Sequence, residues 1–286
     1  SPQKNPCLYR GSNENKKFGT CGKTHKIARD KHQLMLNFKQ FGNGPRAVMV
    51  HGFTQTHETW VDVIDSLKQR FEFIAIDAPN HGDSCDISLN LESGARAIGE
   101  AGDKATYIGY SLGGRFCLTL ALSEPQKVSR LVLISTTAGI EDKELRLERI
   151  RSDEELAKRI EQIGINQFVD EWLSQPLFDG LNAETNQRKI RLKNTTIGLS
   201  SSLRLCGAGR QQPTWSRLKE LNMPVLVIAG ANDEKYRLLA ERLVSEIGSN
   251  ATIEIVKNSG HTPHLEQPRI FQELLSSFLS NSDSSN

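Results

Sequence analysis

A serine, an aspartate and a histidine occur in this chain in an order that would let them work as one catalytic group. Residues 109–114 read Gly-Tyr-Ser-Leu-Gly-Gly, and an apolar run over 105–109 leads straight into them. This is the G-x-S-x-G pattern of a nucleophile elbow, a tight strand-to-helix turn that lifts the serine hydroxyl above the edge of a sheet. Glycines at 109 and 113 suit such a turn, because side chains beside its strained serine would collide. A serine hydroxyl is a weak nucleophile and base until an imidazole takes its proton, and the imidazole needs an acid to fix its tautomer. The expected order is serine, acid, histidine. Ser111, Asp233 in Gly-Ala-Asn-Asp and His261 in Ser-Gly-His supply it.

Rivals for these roles are present. Glu234 neighbours Asp233, His264 lies three residues beyond His261, and Asp77 also ends an apolar run but precedes the serine. A second feature supports the elbow. His51-Gly52-Phe53 ends another apolar run and begins a loop. Such a loop can aim the Phe53 N–H, together with the Leu112 N–H after the serine, at a developing oxyanion, and loss of one such donor costs about 3–4 kcal/mol. No H-E-x-x-H and no Cys/His ligand spacing occurs, so no metal is implied. Gly42-Asn-Gly44 lacks the third glycine of a dinucleotide loop and reads as a hairpin turn, so no cofactor is implied.

The elements needed to position these residues are legible in the apolar pattern. Short runs predict strands at 34–41, 47–51, 73–77, 106–110, 131–135, 225–229 and 252–256. Several are apolar throughout, as suits a parallel sheet covered on both faces. Amphipathic helices are predicted at 60–70, 112–123, 234–247 and 268–279. Alternation of strand and helix gives an α/β fold, a doubly wound, mostly parallel sheet. The stretch 139–222 breaks the alternation. Helical patterns at 141–163, 168–181 and 195–205, with no strand, predict a helical cap inserted into the core formed by 33–138 and 223–280.

The 286 residues suffice for one large domain with an insertion. A formal net charge of +2 gives no reason to expect a nucleic-acid partner. Residues 1–32 form a polar, basic arm without the apolar core of a signal peptide, and 281–286 read as a disordered tail. Five cysteines, at 7, 21, 85, 117 and 206, form an odd set with no C-x-x-C pair. They predict a reducing, cytoplasmic setting rather than a disulfide framework. No apolar run reaches the roughly 18 residues of a membrane span.

Over residues 33–280 the chain resembles the α/β-hydrolase superfamily, and within it the 2-succinyl-6-hydroxy-2,4-cyclohexadiene-1-carboxylate synthases of menaquinone biosynthesis. The motifs that carry this are Gly-Tyr-Ser-Leu-Gly-Gly-Arg with Arg115 four residues after the serine, and His-Gly-Phe followed by Trp60. In the cap, Asp170-Glu-Trp-Leu-Ser-Gln-Pro-Leu-Phe178 is similar to the family's Asp-Trp-Tyr-Gln-Gln-Pro-Val-Phe. Asp233-Glu-Lys-Tyr and Gly260-His-Thr-Pro-His-Leu-Glu-Gln-Pro268 complete the set. The chain departs from the pattern at Asn80, where glycine is usual, and at Tyr236, where an apolar aromatic is common. Asparagine tolerates the left-handed backbone that the first position needs.

The resemblance implies a lyase that releases pyruvate from a small-molecule tricarboxylate without hydrolysis. Its triad takes a proton from the carbon next to the succinyl carbonyl, and Ser111 acts as a base activated by His261. Arg115, Arg191 and Lys235 are implied as carboxylate binders, with Arg146 as a further one, Trp172 as a pocket wall and Tyr110 as a hydroxyl near the substrate. Arginine forks suit carboxylates, and a cationic cleft concentrates an anionic substrate. The alternatives are a serine carboxylesterase or carbon–carbon bond hydrolase on the same triad, and a binding protein that has lost catalysis, against which the intact triad argues.

Overall fold

The computed structural model describes residues 35–281. The basic arm at 1–32, Cys7, Cys21 and the tail beyond 281 lie outside the described residues. Seven strands form one sheet in the order β1-β3-β2-β4-β5-β6-β7. They are β1 (Phe38–Phe41), β2 (Arg46–Val50), β3 (Glu72–Ile76), β4 (Ala105–Tyr110), β5 (Val128–Ile134), β6 (Val225–Gly230) and β7 (Ala251–Val256). All neighbours are parallel except β1 and β3, which pair antiparallel at the edge. The central strands β4 and β6 are buried along their whole length. Their continuous apolar runs follow from helices on both faces.

On one face α2 (Leu91–Gly102), α3 (Leu112–Ser123) and α7 (Glu234–Ile247) cover the sheet. On the other, α1 (Val61–Leu67) and α9 (Pro268–Ser280) pack around Trp60 and Phe271, both without solvent exposure. Burying one such aromatic is worth roughly 2–3 kcal/mol. The glycine-rich segment Leu91–Gly102 buries Leu91, Ala95 and Ile98 on one face. Its glycines are contact points: a Cβ at Gly94 would meet the Phe116 ring at 2.6 Å and one at Gly99 would meet Leu120 at 2.6 Å.

The predicted hairpin at Gly42-Asn-Gly44 is not formed. The turn joins β1 to β2, but β1 pairs with β3 instead. Gly42 and Gly44 have φ of 74° and 123°, and a Cβ on either would come within 2.5 Å of carbonyl oxygens at Lys68, Arg70 or Phe71. The turn is shaped by the segment after α1, not by cross-strand pairing.

Between β5 and β6 the described chain is helical. It comprises α4 (Lys143–Leu173), α5 (Arg188–Arg191) and α6 (Thr196–Cys206), with 3-10 turns at Pro176–Phe178 and Trp215–Glu220. The helix is broken at Gly164, whose φ of 75° and ψ of 170° are not helical, so α4 is two helices meeting at a kink, as the sequence pattern separates them. Proline 176 stops the predicted continuation to 181, since it has no N–H to give and clashes with the preceding turn. A small apolar cluster of Ala157, Ile160, Phe168, Leu199 and Leu203 holds α4 to α6, with Phe53 of the core packed against it. The short helix α8 (Pro263–Glu266) precedes α9.

Candidate active site

The elbow is built where β4 runs into α3. Ser111 has φ 51° and ψ −106°, a backbone state that side chains rarely adopt and that persists only when its surroundings fix it. They do so. The Ser111 N–H donates to the Ile134 carbonyl at 2.8 Å, and the Thr136 hydroxyl donates to the Ser111 carbonyl at 2.8 Å. A Cβ on Gly113 would lie 2.0 Å from the Val50 oxygen, and one on Gly109 would lie 2.4 Å from the Gly113 oxygen. The close approach of α3 to β2 and β4 therefore requires both glycines.

Asp233 and His261 come from the loops after β6 and β7. His261 Nδ1 lies 2.7 Å from Asp233 Oδ2, and its Nε2 lies 3.3 Å from Ser111 Oγ. Both side chains are more than nine-tenths buried. Asp233 also caps α7, accepting from the Tyr236 N–H at 3.2 Å. With the Nδ1 proton directed to the carboxylate, Nε2 is the acceptor that faces the serine, the tautomer a base needs. Glu266 locks the histidine loop: it accepts from Gly260 N–H at 2.7 Å, and from the N–H and hydroxyl of Thr262 at 2.9 and 2.8 Å. Sequence reasoning gave Glu266 no role.

The rivals are placed elsewhere. His264 packs its ring against Trp60 and Tyr110, at centroid distances of 4.9 and 4.5 Å. Burial, with Arg191 and His261 nearby, lowers it to about 3. Glu234 is exposed. Asp77 accepts from the N–H and ring Nδ1 of His57 at 2.7 and 2.9 Å, and from Asn37 and Asp83 at 3.0 Å each. Burial opposes its ionisation, but these donors and the neighbouring imidazoles hold its carboxyl well below the usual range. It organises the turns after β2 and β3. In the latter turn Asn80 takes φ 68°, the left-handed state foreseen for asparagine there.

The loop after β2 carries Phe53. His51 donates from Nδ1 to the Gly52 carbonyl at 2.8 Å and accepts the Ala78 N–H on Nε2 at 3.0 Å. Burial lowers its pKa to about 4, so it stays neutral. Gln55 accepts the Gly52 N–H at 3.1 Å. Among the described residues no hydrogen bond occupies the Phe53 or Leu112 amide. The second sits in the first turn of α3, where N–H groups lack helical partners. Phe53 and Leu112 line the same cavity as Ser111, and free amides of that kind are what an oxyanion site would need.

Above them lies a cavity of about 360 Å³ between the sheet and the helical insertion. Tyr110, Ser111, Leu112, Phe53, Trp172 and His261 line it, and so do Arg115, Arg191 and Lys235. The Trp172 ring stands edge-on to Phe53 at 5.2 Å. Arg115 and Arg191 are both buried, and among the described residues neither forms an ion pair. Arg115 Nη1 reaches only Gln211 at 3.5 Å. Arg191 donates to the Asn186 carbonyl at 2.9 Å and to the Thr54 hydroxyl, and its Nη2 is buried without a partner. Burial pulls the Arg191 pKa down to about 10 and lowers that of Arg115. Lys235 is exposed at the cavity edge, 5.6 Å from the centre of the Tyr236 ring. Tyr236 itself packs on His261 at 4.4 Å.

Arg146 is placed apart from the other expected binders. It does not line the cavity but lies near Gln212, 3.4 Å away. Arg149, three residues further along α4, takes the lining position and pairs with Asp153 at 2.8 Å. The run 143–151 alternates charges so densely that the sequence does not reveal which arginine faces inward; the helix phase decides it. Among the described residues no three His, Cys, Asp or Glu side chains cluster as a metal site would require. Among them, too, no helix is long and apolar enough to cross a membrane.

Comparison with known proteins agrees with this architecture. The family described as "Alpha/beta hydrolase family" matches residues 47–273. A "Putative 2-succinyl-6-hydroxy-2,4-cyclohexadiene-1-carboxylate synthase" of Bacillus subtilis is 38% identical over 255 residues, covering 82% of this chain and 92% of the relative. A synthase of the same name from Serratia proteamaculans is 28% identical over 248 residues, covering 83% and 94%. The solved structure of MenH from S. aureus superposes with a TM-score of 0.80 at 30% identity, covering 86% of this chain and 98% of that one. A thermophilic esterase from Thermogutta terrifontis, 22% identical with a TM-score of 0.74, shares the fold. The chain belongs to the alpha/beta hydrolase family, and within it is similar to the 2-succinyl-6-hydroxy-2,4-cyclohexadiene-1-carboxylate synthases.

Proposed function

We propose that this enzyme is a lyase that eliminates pyruvate from a tricarboxylate cyclohexene intermediate to give 2-succinyl-6-hydroxy-2,4-cyclohexadiene-1-carboxylate. The supporting observation is the pair of buried guanidiniums, Arg115 and Arg191, that line the cavity over Ser111 without a carboxylate partner. A buried cation is costly unless an anion meets it. A polycarboxylate substrate would meet both, with Arg149 and Lys235 as further contacts. An ester pocket has no need of them.

In this reading residues 139–222 act as the cap and Ser111, His261 and Asp233 as the triad. His261 takes the Ser111 proton as the serine oxygen removes one from the carbon next to the succinyl carbonyl. The electron pair left behind moves onto that carbonyl oxygen, which the Phe53 and Leu112 amides hold as an enolate. When the carbonyl re-forms, the ring double bond shifts and the bond to the enolpyruvyl oxygen breaks. The departing group takes up a proton and leaves as pyruvate, and Asp233 stabilises the imidazolium throughout. Tyr110 and Trp172 shape the wall against the ring.

Coupling the protein to the upstream enzyme that forms the tricarboxylate, and following pyruvate, tests the proposal. Rapid pyruvate release with slow p-nitrophenyl ester hydrolysis is expected. Brisk ester hydrolysis without pyruvate would establish the hydrolase alternative, and tight ligand binding without turnover of either would establish the binding-protein one.

A further inference from the structure

Between the helical insertion and the loop carrying Phe53 lies a buried side chain that ties the two together. Asn194, 4% exposed, follows α5. Its Nδ2 donates to the Thr54 carbonyl at 2.6 Å and to the Arg191 carbonyl at 3.0 Å, with Gln55 O more distant at 3.4 Å. Its Oδ1 accepts the Gly82 N–H at 3.0 Å. Thr54 is the residue after Phe53, and it holds φ 70°, a left-handed state that a β-branched residue adopts only under constraint. The Thr54 hydroxyl also receives Arg191 Nη1. A few residues earlier, Gln187 reaches the same segment: it accepts from the Thr59 hydroxyl at 2.5 Å and donates to the Thr59 carbonyl at 3.2 Å.

We propose that Asn194 is a positioning residue that fixes Thr54 from the insertion and so aims the Phe53 N–H at the reacting oxygen. An asparagine amide supplies two donor hydrogens and an acceptor oxygen on one short stem. Thr54 O, Arg191 O and the Gly82 N–H call for that complement. Aspartate has the shape but not the donors, and alanine has neither. The same side chain contacts the backbone of Arg191, so the cation that faces the cavity and the loop that holds the oxyanion share one anchor. The inference rests on reading residues 52–54 as the oxyanion loop.

Asn194→Asp and Asn194→Ala are compared with the unsubstituted enzyme for kcat, KM and melting temperature. Gln187→Leu, at a partly exposed position of the same tie, is the variant expected to fold regardless. The Asn194 variants are expected to lose at least tenfold in kcat while KM changes less than threefold, because a misaimed oxyanion donor is felt only in the transition state. Gln187→Leu should fall in the same direction by a smaller factor. Folded Asn194 variants with unchanged kcat, or with a loss confined to KM, would overturn the proposal. If they fail to fold, an unchanged kcat in Gln187→Leu would do the same. An oxyanion hole serves elimination and ester hydrolysis alike, so the assay uses whichever substrate the unsubstituted enzyme turns over. Esterase activity without pyruvate release then counts against the substrate reading and leaves Asn194 tested. No turnover of either substrate by the unsubstituted enzyme would overturn both.

Discussion

Ser111, His261 and Asp233 bond to partners inside the protein, whereas across the cavity the buried guanidiniums Arg115 and Arg191 have no ion-pair partner among the described residues. Both ring nitrogens of His261, both oxygens of Asp233 and the backbone N–H and carbonyl of Ser111 are hydrogen-bonded. Arg191 keeps a buried charge, no ion pair and an unmet donor. In that sense the Ser111–His261–Asp233 side is complete without a ligand, and the side facing the insertion is not. A preorganised base and oxyanion hole cost nothing to reorganise during reaction. An unpaired buried guanidinium carries a desolvation cost that a bound carboxylate offsets. In the proposed reaction the first region supplies rate and the second supplies substrate choice.

Breaking the complete side should give the largest effect. Ser111→Ala or His261→Ala is expected to lower kcat by roughly 10⁴-fold or more with little change in KM, as in serine triads generally. Steady-state pyruvate release measures it. A variant retaining a tenth of the activity would show that the elbow does not carry the chemistry.

On the incomplete side, Arg191→Met should act on substrate binding rather than on kcat. Removing one partner of a buried charge contact costs about 2–3 kcal/mol of binding, which is roughly 30- to 150-fold in KM. The ligand-free protein is relieved of a buried cation without an ion pair but loses its hydrogen bonds to Asn186 and Thr54, so its melting temperature should change little. Calorimetry and kinetics on the same preparation test the pair of effects. A lower melting temperature with an unchanged KM would make Arg191 a structural residue.

The two regions also differed in how far sequence disclosed them. Ser111, Asp233 and His261 each follow an apolar strand, so local pattern and chain order are enough to place the three together. Phe53 is legible because His-Gly-Phe ends β2. The insertion is less legible, since what matters there is helix phase and packing across it. Arg146 and Arg149 share one charged run, and only the rotation of α4 turns one inward. Asn194 and Gln187 are polar residues between short helices, with nothing local to mark that they reach the Phe53 loop. Glu266 stood in a quoted motif, yet its role depends on a turn that brings its carboxylate onto Gly260 and Thr262. The edge pairing of β1 is non-local, so Gly42-Asn-Gly44 looked like a hairpin.

That helix-phase argument gives a smaller prediction. Arg149→Ala is expected to raise KM about tenfold, because a cavity-lining guanidinium paired to Asp153 is lost, while Arg146→Ala should change KM less than twofold. The comparison uses the same assay for both variants. Equal effects, or a larger one at Arg146, would mean that α4 sits in another phase when substrate is bound.

The smallest expected effect concerns the floor of the complete side. Burial lowers His51 to about 4, and His81 and His264 to about 3. In the unfolded chain each imidazole titrates near 6.5. Between about pH 6.5 and 4 the unfolded state therefore binds protons that the native state refuses. Stability present above pH 6.5 is lost as the pH falls through that window. His264 is the simplest of the three to remove. Its ring packs against Trp60, Tyr110 and Phe271, and neither nitrogen has a hydrogen-bond partner among the described residues. Phenylalanine satisfies the same apolar contacts and takes up no proton. His264→Phe should leave kcat at pH 7 within about fivefold and make the decline of melting temperature from pH 6.5 to 4 shallower. Scanning calorimetry at several pH values reads the slope. An unchanged slope would mean that His264 is not buried in the neutral form, and a collapse of kcat to the level of His261→Ala would restore it as the rival base.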